Sequence, residues 1–233
     1  MLRKVRLILL ISGLVWIIMG SLFINLRNVF GGEGGDKIKL PDPSPKGVVS
    51  VEEALQKRRS VREYGKAPLT LAEISQLLWV AQGITHPEGL RTAPSAGALY
   101  PLEIYIAVGN VETLPPGVYK YQPRGHELLK IADGDLLLPL CSAVLDQECV
   151  RDAAVVFVIA AVYERTMKKY GERGIRYAEI EVGCAAENVH LQAVSLNLGT
   201  VFVGAFYDDR VRKVLKMKDD ERPLAVIPIG RIK

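Results

Sequence analysis

At 233 residues, with 49% hydrophobic and 24% charged side chains, the chain can hold one well-buried domain plus an appendage. Its formal charge of +4 belongs entirely to the start: Arg3, Lys4, Arg6 and Arg27 precede Glu33, the first acid, which leaves 26 basic against 26 acidic residues from Gly31 onward. A body so balanced speaks against nucleic acid as a partner, and scattered His86, His126 and His190, with no C-x-x-C among Cys141, Cys149 and Cys184, speak against a metal site.

Leu7 to Leu26 reads LILLISGLVWIIMGSLFINL, twenty residues without a charge. That length crosses about 30 Å of hydrocarbon at about 1.5 Å per residue. It predicts an N-terminal transmembrane helix, residues 1–30 forming a membrane anchor. The basic residues before it place the N-terminus in the cytoplasm and the body on the far side, where one disulfide could form. A cleaved signal peptide competes; the length of the apolar run and the lack of an A-x-A site stand against it. Residues 31–48 (GGEGGDKIKLPDPSPKGV) are rich in Gly and Pro and read as a linker, leaving 49–233 as the domain.

A short helix is predicted from Val51 to Arg58, capped by Ser50 with Glu53 three residues on. A second runs from Thr70 to Gln82, with Thr70 as cap, Glu73 at N3 and Leu71, Ile74, Leu77, Leu78 and Ala81 at helical spacing. Glu103–Val108, Gly117–Tyr121 and Leu128–Ile131 read as strands, the last two as a hairpin. After a helix near 135–145, the run AAVVFVIAAV (Ala153–Val162) is apolar on both faces, as a central strand should be. The longest helix is expected over Ile175–Leu198, stopped by Gly199. Val201–Val203, a helix from Asp208, and a strand Leu224–Ile229 complete an α+β layered domain.

Four segments carry candidate chemistry. Arg58-Arg59-Ser60-Val61-Arg62 offers guanidinium forks and a hydroxyl suited to a phosphate, though a basic cluster alone also fits a solvated face. Pro94-Ser95-Ala96-Gly97 is a run of small residues with the composition of an ordinary Pro-Ser-Gly turn. Val203-Gly204-Ala205 sets a glycine at the end of a buried strand fragment, where backbone can be approached closely. Lys169-Tyr170, in a polar Gly-bearing loop, offers two adjacent proton-bearing groups; an exposed loop lysine beside a packed tyrosine is the plainer alternative.

The order RRSVREY, LLWVAQGI, APSAGALYPLEIY, KYGERGIRY, VGAF and PIGR resembles the SagB/ThcOx-type dehydrogenases of the FMN-dependent nitroreductase superfamily, over about residues 50–233. The resemblance implies a three-layer fold, a central mainly antiparallel sheet flanked by helices, in a homodimer with FMN at the interface. It assigns phosphate and ribityl binding to Arg58, Arg59, Ser60 and Arg62, and a second phosphate contact to Arg231. Pro94, Ser95, Ala96 and Gly97 would lie along the flavin ring. Val203, Gly204 and Ala205 would approach its N5 and O4, Gln147 its pyrimidine edge, and Lys169 and Tyr170 would be catalytic. NAD(P)H is the implied transient electron donor, and a small molecule or peptide the substrate.

The chain departs from the family where many relatives carry Gly-His-x-x-Gln-Asn: here it has Gly183-Cys184-x-x-Glu187-Asn188. The expected activity is therefore a two-half-reaction FMN-dependent oxidoreductase. The alternative is a membrane-anchored flavin-binding module for assembly or electron relay, without turnover of its own.

Overall fold

The computed structural model describes residues 36–233. In chain order its elements are β1 (Lys37–Lys39), α1 (Val51–Lys57), β2 (Tyr64–Gly65), α2 (Leu71–Gln82), β3 (Leu102–Val108), β4 (Gly117–Gln122), β5 (Glu127–Asp133), α3 (Leu137–Ala143), α4 (Glu148–Arg151), β6 (Val155–Ala161), α5 (Tyr163–Tyr170), α6 (Arg173–Ser195), β7 (Leu198–Thr200), α7 (Asp208–Val214) and β8 (Arg222–Ile232). The sheet runs β1-β5-β4-β3-β6-β8-β2, with β7 also on β8. Every pairing between these strands is antiparallel.

Alternation along the central strands builds the three layers. In β6, Val155, Phe157, Ile159 and Ala161 face one core with α2 and α6, while Val156, Val158 and Ala160 face a second with α3, α4 and α7. All seven β6 residues are buried, and each large apolar side chain so placed contributes roughly 1.5–3 kcal/mol. The Thr70 cap is a full capping box: its hydroxyl accepts from the Glu73 N–H, and the Glu73 carboxylate accepts from the Thr70 N–H. Ser50 caps α1 from one side only, accepting from the Glu53 N–H at 3.2 Å.

Several boundaries differ from the sequence reading, each for a local reason. The long helix ends at Ser195, and Asn197 takes the left-handed conformation at φ 55° that had been expected of Gly199. Gly199 lies instead in β7, paired with Gly230. The strand fragment expected at Val201–Val203 reduces to one bridge from Val203 to Val226. Within the Gly/Pro-rich stretch 31–48, Lys37–Lys39 forms an edge strand on β5. All three cysteines are free thiols.

The membrane expectation is corrected. Among the described residues no helix is long and apolar enough to cross a membrane, and the segment 7–26 on which that expectation rested lies outside them. The N-terminal transmembrane helix, the membrane as a partner, the single-pass location and the anchored flavin module that depended on it are withdrawn. The homodimer with FMN at its interface rests on the resemblance alone.

Candidate functional site

After α1 the backbone turns extended at Arg58 (φ −52°, ψ 125°). Ser60 then forms a parallel bridge with Thr200, and the Val61 N–H donates to the Thr200 carbonyl at 2.9 Å. Glycine at 199 is what allows this docking: a Cβ there would lie 2.6 Å from Val61 Cγ1. With Val61 turned inward, Arg59, Ser60 and Arg62 are left exposed. Arg58 is partly buried, its Nε 3.8 Å from Glu187 on α6. Arg59 donates to the carbonyls of Gln56 and Arg58, at 3.1 and 2.7 Å.

Arg231 does not join this cluster. Its guanidinium donates to both oxygens of Glu73, at 2.6 and 2.8 Å, and to the Pro68 carbonyl at 3.1 and 3.3 Å. Both partners are largely shielded, with side-chain exposures of 27% and 15%. The terminal Gly-Arg is thus a clamp joining β8 to the start of α2.

Behind the first motif lies His190, 7% exposed, whose Nδ1 is 2.5 Å from the Thr200 hydroxyl. Burial, aided by the Arg58 charge, pushes its pKa down to about 4. Between pH 4 and 6.5 the unfolded chain therefore binds a proton that the folded chain refuses. Stability is full above about 6.5 and is lost as pH falls toward 4, by about 3 kcal/mol from this group. Denaturant titrations at pH 7 and pH 4.5 should show that loss shrinking in His190→Gln; an unchanged difference would remove His190 as its source.

The turn at Pro94–Gly97 is held from below and opens toward the last turn of α5. The Ala96 N–H donates to Glu181 Oε1 at 2.8 Å, and the Tyr100 N–H to the Ser95 hydroxyl at 2.9 Å. Glu181, on α6, is 5% exposed, and burial raises its pKa against the pull of its hydrogen bonds from Ala96 and Ser95. Gly97, Ala98 and Tyr100 all have positive φ, at 63°, 54° and 46°. Non-glycine residues adopt this conformation at a cost of roughly 1 kcal/mol or more, so strain is concentrated in the motif. A Cβ on Gly97 would lie 2.7 Å from Tyr170 Oη and 2.9 Å from Lys169 Nζ. The expected Lys-Tyr pair therefore converges on the expected flavin turn, from the end of a helix rather than from a loop.

The third segment follows β7 and is tied to β8. Gly204 and Ala205 are exposed, and a Cβ at Gly204 would meet only Phe202, at 3.6 Å. Val203 is buried and fixed to Val226 by hydrogen bonds in both directions. Gln147 reaches this segment: its amide donates to the Ala205 carbonyl at 3.2 Å and to Val144 at 3.1 Å. α6 links the two halves, with Glu181 under Ala96 and Glu187 beside Arg58. Six residues at about 1.5 Å each set these contacts about 9 Å apart along its axis.

A buried charge network backs the turn. Arg165 on α5 donates to the Tyr100 carbonyl at 3.0 Å and pairs with Glu103. Glu103 lies 3.0 Å from Lys120, which pairs with Glu221, and Tyr105 donates to Glu221 at 2.6 Å. Burial opposes the Glu221 charge, but bonds from Lys120, Tyr105 and the Lys218 N–H hold its pKa below the usual range.

Glu181, His190 and Glu73 escaped the functional reading of the sequence. Glu181 and His190 occur in phase with the buried α6 stripe of Ala178, Val182, Ala185, Ala186, Val189 and Ala193. A titratable residue in phase with an apolar stripe was the available signal. Glu73 was visible only as a capping residue.

A three-layer antiparallel α+β body with a strained small-residue turn facing a Lys-Tyr pair defines the class of protein. The chain belongs to the nitroreductase family, whose family model matches residues 55–231, and so to the FMN-dependent nitroreductase superfamily. It is 50% identical over 195 residues to the nitroreductase-named protein MJ1384 of Methanocaldococcus jannaschii, covering 84% of this chain and 96% of that one. It is 29% identical over 168 residues to the microcin B17-processing protein McbC of Escherichia coli, covering 69% of this chain and 60% of McbC. Among solved structures, a nitroreductase-named protein of Ralstonia eutropha superposes with a TM-score of 0.73 at 28% identity, covering 87% and 92% of the two chains. A nitroreductase-named protein of Anabaena variabilis gives 0.76 at 32% identity, covering 85% of this chain but 42% of the other.

Proposed function

We propose that the chain is an FMN-dependent oxidoreductase that runs two half-reactions, accepting a hydride from an NAD(P)H-type donor and passing electrons to an organic acceptor. The observation that carries this reading is the convergence of Tyr170 Oη and Lys169 Nζ on Gly97, where a side chain would displace them. The residues fit FMN. Arg59 and Arg62 are exposed and form no ion pair among the described residues, Arg58 has only a carboxylate at 3.8 Å, and Ser60 adds an exposed hydroxyl. Together they would take the phosphate and ribityl chain. The open backbone at Gly204 and Ala205, and the Pro94–Gly97 turn, would flank the ring, with Gln147 at its edge. FMN when bound supplies the hydride-carrying chemistry.

Lys169 and Tyr170 would hold or donate a proton at the substrate atom beside Gly97. Arg231 enters as the clamp that fixes β8 to α2, its fork being taken by Glu73. Similarity to McbC supports a SagB-like substrate, a peptide, within this reaction class; the closer match to MJ1384 supports a small-molecule acceptor.

The test is spectroscopic. The full chain should bind FMN, bleach with NADPH and recover its colour with a nitroaromatic acceptor, and Arg58→Gln should weaken FMN binding about tenfold or more. A chain that takes up no FMN would overturn the reading; a flavin that NADPH never bleaches would overturn the donor assignment.

A further inference from the structure

A cavity of about 410 Å³ is lined by Ala98 and Tyr100 of the turn and by Glu103 of the buried charge network. The volume falls in the range of small-molecule sites, about 300–1,000 Å³. Its walls join two kinds of surface. Leu102 and Ile104 come from the core-facing side of β3, and Gln82, Arg91 and Arg124 add polar side chains to the lining.

Arg91 is the residue that needs an explanation. It is held tightly: its backbone bridges Ile84, its N–H donates to the Tyr100 hydroxyl at 3.1 Å, and its guanidinium lies 4.4 Å from the centre of the Tyr100 ring. The side-chain acceptor it has among the described residues is the Gln82 amide oxygen, at 2.8 Å, and Gln82 is itself 2% exposed. No carboxylate pairs with Arg91 among the described residues. Two acids line the same cavity, Glu88 and Glu103, and Glu103 is already paired with Lys120 at 3.0 Å and with Arg165. Glu88 stands on an exposed turn, 3.8 Å from His86. A partly buried guanidinium has lost much of its water, and one neutral amide does not replace it. Its remaining N–H groups form a fork fixed by stacking, the arrangement that recognises a carboxylate at two points.

We propose that this cavity binds a small organic carboxylate, its carboxylate on the Arg91 fork with Arg124 at the rim, and its apolar body against Leu102 and Ile104. The proposal goes beyond the flavin reading and stands on different residues. A ligand here would also touch Tyr100, and through it the strained turn that ends at Gly97.

The probe is phenylacetate, with phenylacetamide as its uncharged counterpart of the same shape, each titrated calorimetrically into the full chain. Phenylacetate should bind at least tenfold more tightly than phenylacetamide. Arg91→Gln should remove that preference, and Arg58→Gln, in the segment after α1, should leave it within twofold. Equal binding of the two compounds, no binding of either, or full retention of the preference in Arg91→Gln would each overturn the proposal. Loss of the preference in Arg58→Gln would place the carboxylate at the first motif and overturn it equally. If Arg91→Gln does not fold, the comparison of the two compounds on the unaltered chain decides.

Discussion

Tyr170→Phe and Lys169→Met are each expected to lower kcat by about 100-fold, the usual scale for losing a positioned proton donor or acceptor, while FMN stays bound. The two side chains stand over a glycine at φ 63° and leave no room for a methyl group. Tyr170 is braced edge-on by Tyr177, ring centres 5.2 Å apart, and Lys169 Nζ lies 5.4 Å from the centre of the Tyr170 ring. Among the described residues neither hydrogen-bonds nor ion-pairs with the arginine motif or the Val203–Ala205 segment, so removing a hydroxyl or an ammonium group should leave flavin retention intact. Steady-state rates on flavin-loaded protein, with the visible spectrum as the binding control, separate the outcomes. Unchanged kcat in both variants would end their catalytic assignment. Loss of colour together with rate would make them binding residues.

Glu221→Ala is expected to cost about 3 kcal/mol or more of folding stability. The substitution leaves Lys120 buried at 8% exposure with only Glu103 to answer its charge, and strips Tyr105 of its acceptor. Breaking a buried pair from one side costs about 3–5 kcal/mol, because the abandoned charge stays out of water. Replacing both partners removes the Lys120 part of that penalty, so Lys120→Met with Glu221→Met should recover part of the loss, Tyr105 still lacking its acceptor. Chemical denaturation of the three variants tests this directly. A single variant within about 0.5 kcal/mol of the parent, the size of an ordinary surface change, would show that the network contributes nothing.

The elements most legible in the sequence were those whose local signals agreed. The Thr70–Glu73 capping box with its apolar stripe marked α2, and the unbroken run from Ala153 marked the central strand β6. Resemblance supplied what local pattern could not, the company of distant segments such as Pro94–Gly97 and Lys169-Tyr170. Long-range pairing decided the remainder. Gly199 has the sequence look of a helix stop, yet it is required by Val61, far away in the chain. Arg231 is expected from the resemblance at a phosphate, and folding brings Glu73 to its fork. Arg91 has no sequence signature, because its meaning lies in the carboxylate it lacks.

The position of β8 has a consequence for how the molecule forms. This strand comes last in the order of elements but lies inside the sheet, between β6 and β2, with β7 also upon it. Until it inserts, β6 and β7 expose open edges and the arginine segment has no Thr200 to settle on. Such late, non-local closure slows folding and leaves strand edges bare meanwhile. On the proposed flavin reading, cofactor capture would then report completed folding, since the arginine segment settles only once that final seam is closed.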